Sequence, residues 1–367
     1  MSPRSRSDMA CYSGQSPFAA ASETGATLSG LVAGLGRREA WILFLALCLL
    51  LLPHSASAEA WLPRTDANSV VSPEGIFASL CGLKAAMSSS AIQEITRVAK
   101  FNCKARAEYV KAAVWLPSSI LVPTELASAI GSYAELYRGA GPFNVQISQW
   151  LEQHHAPPIN VSTPIAMASV SAITYNVAWS YPQYSPEVKA LFHGRHVSHT
   201  VPFVNAVHLA RLEHFEECER VVIPLADGGD VLLTRTIIAD RLAKCLSEPI
   251  QPYSYLAITR VSFPEIEMAA TFRLRRTLEA EGIRSIFSPS TNPLPALAND
   301  LALSDVYQSV VFRMNRDGIG VEASTVACCP LSGGGRKYHT VVFDSPFAVR
   351  ILDSHGADVA EVMVDDV

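Results

Sequence analysis

The chain has 367 residues, of which 49% are hydrophobic and 17% charged, and its formal net charge is −5. This composition is typical of a globular protein and excludes a long disordered chain. Charges of both signs are scattered along the sequence, so no nucleic-acid-binding surface is expected. The sequence also lacks a nucleophile motif such as Gly-x-Ser-x-Gly, and we therefore do not expect an enzyme.

Residues 1–58 are predicted to be a leader that ends in a secretory signal peptide. The basic pair Arg37-Arg38 precedes the apolar run 41–52, and a small-residue cleavage site follows at Ala56-Ser57-Ala58. The apolar run is shorter than the ~20 residues that a spanning helix needs, so no stable membrane span is expected after cleavage. An uncleaved signal anchor is the alternative, because true basic n-regions lie closer to the start of a chain. The mature protein is then a single domain, 59–367.

Six cysteines follow the proposed cleavage site: Cys81, Cys103, Cys218, Cys245, Cys328 and Cys329. A secreted chain can form disulfides, but the spacing does not assign partners. The vicinal pair Cys328-Cys329 is not expected to bridge to itself, so at least one of these thiols is free or intermolecular. The sequon that begins at Asn160 predicts a glycosylated surface loop.

The first half of the mature chain is predicted to be mainly helical. Ser72-Pro73 followed by an acidic residue is a good helix start. Apolar residues at helical spacing then predict helices over 74–87, 91–100, 124–137 and 146–154. A short strand, 110–116, separates the second helix from the third.

The second half is predicted to consist mainly of strands, with one helix over 274–281. The strand predictions are 166–179, 197–204, 221–225, 231–238, 256–263, 308–314, 341–343 and 347–351. Asp227-Gly228 predicts a hairpin between the third and fourth of these. Because helices and strands do not alternate, the fold class is α+β, with a large, mostly antiparallel sheet and flanking helices.

Seven short patterns, in order and at nearly the right spacing, resemble those of the serpin family. They are Val71-Ser72-Pro73, residues 147–152, residues 173–178, Val201-Pro202-Phe203, Phe263-Pro264-x-Ile266, residues 278–288 and Phe343-x-x-Pro346-Phe347. The resemblance implies a serpin fold with an exposed reactive-centre loop at about 318–340. It also implies a mechanical inhibitor: a protease cleaves the loop, is held as an acyl-enzyme, and the loop enters the sheet as a new strand.

The same resemblance assigns the hinge of that loop, although two registers are open. Gly320 aligns with the hinge glycine by its local pattern, whereas counting from the preceding strand selects Gly318. The hinge residues that follow are Val321, Glu322, Ala323, Ser324 and Thr325. Small side chains here suit entry into a sheet, whereas Pro330 falls inside the segment expected to insert and lacks a backbone donor.

The reactive bond has two candidate positions. Arg336 is preferred, with Lys337 a weaker choice, because a basic residue suits trypsin-like proteases; spacing from Gly320 instead selects Gly334-Gly335. Four further residues align with the regions that control sheet opening in serpins, the shutter and the breach: Ser72, Asn176, Tyr184 and Gln308. Tyr184 replaces the usual tryptophan, and Gln308 replaces the usual histidine but can still form hydrogen bonds.

The predicted function is therefore a secreted inhibitor of a trypsin-like serine protease, without a cofactor. The alternative is a non-inhibitory serpin-fold binding protein or immune modulator that acts on a host protein. The gap between 101 and 110 is too short for the helix D of other serpins, so no glycosaminoglycan site of that type is expected, and a compact viral serpin is one interpretation. No metal site is predicted, because His193, His196 and His199 are spaced by three and would alternate between the faces of a strand.

Overall fold

A computed structural model of the chain describes most of the predicted domain. The described residues are 68–98, 103, 108–160, 164–180, 182–186, 188–238, 241–249, 255–320 and 339–367. The predicted leader, 1–58, and the loop segment 321–338 lie outside these ranges.

Six α-helices occur in the described residues. They are α1 Pro73–Cys81, α2 Ser89–Val98, α3 Thr124–Gly131, α4 Asn144–Gln153, α5 Leu242–Ser247 and α6 Arg275–Ala280. α1 begins where the sequence predicts, because Ser72 Oγ accepts a hydrogen bond from Gly75 N–H and Pro73 needs no backbone donor at the first helical position.

The same residues form seventeen strands. In chain order these are β1 Ser69–Val71, β2 Val110–Pro117, β3 Glu135–Gly139, β4 Ala168–Ile173, β5 Val177–Ala178, β6 Gln183–Tyr184, β7 Val188–His193, β8 Ser198–Phe215, β9 Cys218–Pro224, β10 Asp230–Thr236, β11 Tyr255–Pro264, β12 Ile266–Arg273, β13 Asp305–Met314, β14 Gly318–Ile319, β15 His339–Val342, β16 Phe347–Leu352 and β17 Asp358–Val364.

The strands form two sheets. The seven-stranded sheet has the order β3-β2-β4-β13-β14-β5, and β12 pairs with the other side of β13. It is a mixed sheet that is mostly antiparallel, as predicted, because four of its six strand pairings are antiparallel and only β2 with β3 and β4 with β13 are parallel. The ten-stranded sheet has the order β1-β17-β16-β10-β9-β8-β11-β15, with β6 and β7 also on β8. Its pairs are antiparallel except for β11 with β15.

Both faces of the central strands β2, β4 and β13 of the seven-stranded sheet are buried. Trp150 and Leu151 of α4 pack on one face against Trp115 and Tyr307. On the other face, Phe312 and other residues of β13 share a core with the ten-stranded sheet. A strand added to this sheet would therefore enter a dry interior, where its backbone groups need partners from the neighbouring strands.

Two disulfides fix connections that the sequence could not assign. Cys81 at the end of α1 bonds to Cys103, and Cys218 of β9 bonds to Cys245 of α5. Loops of 22 and 27 residues are closed in this way. Each closure stabilises the fold by about 3 kcal/mol relative to the open chain.

Several predicted element boundaries were wrong. The first helix ends at Cys81 rather than 87, and a short 3-10 turn, Lys84–Ala86, follows it. The predicted helix 124–137 ends at Gly131, because its last residues form β3 and pair with β2. The predicted strand 166–179 is broken between β4 and β5. β12 and β17 were not predicted at all.

Candidate functional site

The seven-stranded sheet is closed along one half and divided along the other. β4 and β13 pair directly over six positions, 168–173 with 305–310. Further along, β14 lies between β13 and β5, with Ile319 paired to both Met314 and Val177. We call the six-position pairing the ladder and the place occupied by β14 the split. At the split, two parallel neighbours separate and admit a third, antiparallel strand.

A tight turn at 315–318 sends the chain back into the split. Asn315 N–H donates to Gly318 O at 3.1 Å, and Gly320 N–H donates to Arg313 O at 2.9 Å. The Asn315 side chain also closes the turn, because its Oδ1 accepts from the N–H groups of Asp317 at 2.9 Å and of Gly318 at 3.3 Å. We call β13, this turn and β14 the hinge hairpin.

Glycine is needed at both positions that the sequence offered as the hinge glycine. Gly318 has a φ of 152° and Gly320 a φ of 115°, a region that residues with a β-carbon rarely adopt. A β-carbon at 318 would also collide with Val177 O, and one at 320 would collide with Asn176 Oδ1 and lie 2.5 Å from Tyr175 O. Gly318 thus ends the turn, and Gly320 follows β14 directly and lies against Asn176.

Two aromatic side chains hold the turn. Trp179 Nε1 donates to Asn315 O at 2.9 Å, and the Tyr184 hydroxyl donates to Arg316 O. The Arg316 guanidinium also lies 4.8 Å from the centre of the Tyr184 ring. Burial raises the pKa of Tyr184 to about 12, so the hydroxyl keeps its proton and remains a donor at neutral pH. Sequence reasoning selected Tyr184 but missed Trp179, which lies in an apolar run that looks like ordinary core.

A buried histidine, also missed from the sequence, packs behind Trp179. His208 of β8 is 1% exposed, and its ring lies 5.7 Å from the Trp179 ring. Within the described residues neither ring nitrogen has a hydrogen-bond partner. Burial lowers the pKa of His208 to about 4, so the ring is neutral at physiological pH.

The ladder is fastened to α1 by Gln308. Its Oε1 accepts from Ser72 N–H at 2.8 Å and its Nε2 donates to Ser72 O at 2.7 Å. The amide thus pairs with the backbone of Ser72 much as a second peptide group would. Close contact is possible because residue 75 is glycine; a β-carbon there would lie 2.8 Å from Gln308 Nε2.

The four predicted shutter and breach residues therefore lie along β13 and its neighbours. Ser72 and Gln308 meet at the ladder, while Asn176 and Tyr184 meet the hinge hairpin at the split. The other residues that were predicted to form the hinge lie outside the described residues: Val321, Glu322, Ala323, Ser324 and Thr325. So do both candidate reactive bonds, Arg336 with Lys337 and Gly334 with Gly335, as well as Cys328, Cys329 and Pro330.

The predicted glycosylation site and the rejected histidine series lie elsewhere. Asn160 is exposed after α4, and the other two sequon residues are outside the described ranges. His193 ends β7 and pairs with Ser198, whereas His199 lies one residue further along β8.

Comparison with known proteins defines the class of this fold. The profile of the family described as serpin (serine protease inhibitor) matches residues 144–359, more than half of the chain. The chain therefore belongs to the serpin family, and the predicted resemblance is confirmed. Antithrombin-III of Ovis aries is 25% identical over 234 residues, which cover 56% of this chain and 49% of the relative. The chain thus matches only about half the length of that curated relative.

Solved structures confirm the predicted α+β serpin fold. Serpin48 of the insect Tenebrio molitor superposes with a TM-score of 0.70 at 16% identity, covering 85% of this chain and 95% of Serpin48. The thermophilic serpin tengpin, in its native state, gives 0.71 at 15% identity, with 85% and 92% covered. Human thyroxine-binding globulin, complexed with its hormone, gives 0.68 at 15% identity, with 85% and 98% covered. In the described part of the chain, none of the helices is long and apolar enough to span a bilayer.

Proposed function

We propose that the protein is a secreted, extracellular inhibitor of a trypsin-like serine protease. The protease cleaves one bond within residues 321–338, and the part of this segment before the bond then enters the seven-stranded sheet. The observation that carries the proposal is β14. It already lies between β5 and β13, antiparallel to both, at the origin of the segment that would insert. The inserted strand would only need to continue from there.

Continuing the register of β14 gives a partner to each following residue. Ala323 would lie between Ile173 and Val310, which now pair with each other in the ladder. Thr325 would lie beside Gln308. Since side chains alternate between the faces of a strand, these two residues would face the core shared with the ten-stranded sheet. Their small size is what that buried position requires.

The same register removes the objection raised by Pro330. Cys328 would lie beside Asp305, the first residue of β13, and beside Ala168, the first residue of β4. Pro330 therefore falls two residues beyond the end of both neighbouring strands. A missing backbone donor costs nothing there, because no ladder partner faces it.

Insertion is favourable because it replaces one set of strand pairings with two. Opening the ladder separates six pairs of positions, and the new strand can then pair with β4 on one side and β13 on the other. The intact loop cannot insert over this length while both of its ends are attached to the folded domain, at β14 and β15. Cleavage releases this restraint.

The proposed chemistry occurs at the bond between Arg336 and Lys337. The protease serine Oγ attacks the Arg336 carbonyl carbon, the Lys337 amine leaves with a proton, and an ester joins Arg336 to the protease. Insertion of residues 321–328 then carries the bound protease away from its starting position before water can hydrolyse the ester. The protein itself performs no catalysis.

Incubation with trypsin, plasmin and urokinase tests the proposal. We expect a complex that survives SDS with at least one of them, and its loss in the Arg336→Ala variant but not in Lys337→Ala. Cleavage should also raise the melting temperature of the free protein. Cleavage without a complex, and without a rise in melting temperature, would favour the alternative of a non-inhibitory binding protein. Mass spectrometry of the cleaved chain distinguishes Arg336 from Gly334-Gly335.

A further inference from the structure

Three side chains of the kind that bind metal ions meet on the ten-stranded sheet, away from the hinge hairpin. His214 lies on β8, Glu219 on β9 and His339 at the start of β15, and their ligand atoms are within 4.8 Å of one another. Glu219 Oε1 is 4.0 Å from His214 Nδ1 and 3.6 Å from His339 Nε2. The two imidazole rings are 6.1 Å apart between centres.

The sheet itself creates this meeting. His214 and Glu219 are directly opposite each other in the β8–β9 hairpin, so their side chains leave the same face. His339 comes from β15, a four-residue strand that pairs, within the described chain, with β11 alone. More than a hundred residues separate His339 from His214 and Glu219, so no sequence motif predicts the group.

Glu219 is held in the orientation that a ligand needs. Arg235 of β10 donates a hydrogen bond from Nε to its Oε2 at 2.6 Å, and Arg235 Nη2 lies 2.5 Å from the same oxygen in an ion pair. Arg235 Nη1 also donates to Val342 O of β15 at 2.5 Å, which ties the same strand to the group. One carboxylate oxygen is thus occupied while the other points at the two histidines, as outer-shell contacts do for carboxylate ligands in metal sites.

We propose that His214, Glu219 and His339 bind a divalent transition-metal ion, with Zn²⁺ the best match. Two imidazole nitrogens and one carboxylate oxygen form a ligand set that suits Zn²⁺, with water as the fourth ligand. Ligands at about 2.1 Å in a tetrahedron lie about 3.4 Å apart, so small side-chain rotations close the present distances around an ion. The side chains of His214 and His339 are 52% and 39% exposed, which leaves an entry path and room for the water.

A bound ion would cross-link the end of the reactive segment to the sheet. His339 immediately follows residues 321–338, and β15 is an edge strand of the described sheet. The ion therefore attaches β15 to the β8–β9 hairpin, in addition to the pairing of β15 with β11. The metal site itself stands independently of the proposed inhibition, because it rests on other residues and on another sheet.

Calorimetric titration of the full chain with Zn²⁺, after alkylation of free thiols, tests the site. We expect the wild type to bind one ion at a site whose affinity falls about 10–100-fold in each of His214→Ala, His339→Ala and Glu219→Gln. His199→Ala, which removes another exposed histidine of β8, is the matched control and should bind as the wild type does.

Circular dichroism establishes that each variant is folded, which is expected because His214 and His339 are exposed and Glu219→Gln changes a partly buried side chain without changing its size. Zn²⁺ should also raise the melting temperature of the wild type and of His199→Ala, but not of His339→Ala. The proposal is overturned if the wild type binds no ion. It is equally overturned if the three site variants bind as tightly as the wild type, or if the control loses as much affinity as they do.

Discussion

The ladder and the split lie along the same strand, β13: it pairs with β4 in the ladder and is separated from β5 by β14 in the split. Different interactions hold the two regions. In the ladder, β4 and β13 share backbone hydrogen bonds, and Gln308 fastens them to the start of α1. In the split, the strands are kept apart by two residues of β14, and the turn is held through carbonyl groups by Trp179 and Tyr184. The first half resists opening, while the second already has the geometry of the opened sheet.

This difference indicates where insertion would start and what would limit it. Entry at the split costs little, because Ile319 is already 2% exposed in the shared core. From residue 323 onwards, each inserted residue would have to displace one ladder pair, beginning with Val310 and Ile173. Local opening of a sheet is cooperative within such units, so the barrier lies in the ladder rather than at the hinge.

The largest expected effect comes from a charge placed where the ladder must open. In Ala323→Glu the inserted strand would bury a carboxylate between Ile173 and Val310, without a partner, at a cost of several kcal/mol. The variant should become a substrate: the protease cleaves it, and the yield of SDS-stable complex falls more than about tenfold. Complex formation is quantified on gels at fixed protease concentration.

Pro330→Ala provides the matched control for the register. Because Pro330 would lie beyond the ends of β4 and β13, this variant should inhibit as well as the wild type. A marked gain of inhibition in Pro330→Ala would mean that the proline enters the sheet, and the register continued from β14 would then be wrong.

The second largest effect is a pH dependence of stability that arises near the split and not in the ladder. His208 packs behind the split, and its pKa is lowered from 6.5 to about 4 by burial. Between these values the unfolded chain binds a proton that the native state does not, so stability rises with pH across this window. Acidification from pH 7 to 4 should remove about 3 kcal/mol through this group. Urea unfolding at several pH values measures the loss.

The variant His208→Phe should lack this component of the pH dependence, whatever its stability at pH 7. His355→Ala changes an exposed histidine outside the split and is the matched control. Hydrogen exchange should show the amides of Gly318 and Gly320 losing protection at mildly acidic pH before the ladder does. Equal slopes in the wild type and His208→Phe would contradict this account.

Sequence patterns predicted most of these elements but not the split. The run 166–179 has the composition of one buried strand, and its break at 174–176 is imposed by β14, which arrives from more than 130 residues away. Residues 135–137 were predicted as the end of a helix because local periodicity favours it, but they form part of β3, and pairing with β2 overrides that preference. The resemblance assigned Ser72 and Gln308 to the regions that control sheet opening, but it did not predict the two hydrogen bonds between them.

What sequence could not predict depends on contacts between distant strands. Neither Trp179 nor His208 stands out in its local sequence, because only the fold brings the two side chains together. The group of His214, Glu219 and His339 needs the β8–β9 hairpin and the edge strand together. By contrast, His193 and His199 are close in sequence, but their side chains lie on opposite faces of the β7–β8 pair.

A third, smaller effect tests the fastening of the ladder. Gln308→Leu removes both hydrogen bonds to Ser72; Ser72 O keeps its bond from Ile76 N–H at 3.1 Å, but Ser72 N–H is left buried without this partner. We expect a loss of about 2 kcal/mol in the free energy of unfolding. Gln146→Leu, an exposed change on α4, should stay within about 0.5 kcal/mol of the wild type. Equal losses in the two variants would show that the Ser72 contact does not stabilise the ladder.

The smallest effect concerns the Tyr184 hydroxyl at the split. Tyr184→Phe removes the donor to Arg316 O but keeps the ring beneath the guanidinium, so the turn should lose about 1 kcal/mol of local stability. Exchange of the Gly320 amide, which bonds to Arg313 O, should become about fivefold faster. Exchange of ladder amides such as that of Val310 should be unchanged.

The control is Tyr137→Phe, which removes a comparable hydrogen bond from the hydroxyl to Glu135 at 2.6 Å, far from the turn. It should leave the exchange rate of the Gly320 amide unchanged. If both variants accelerate Gly320 equally, or if Tyr184→Phe loosens the ladder as much as the split, the two halves are not separately held.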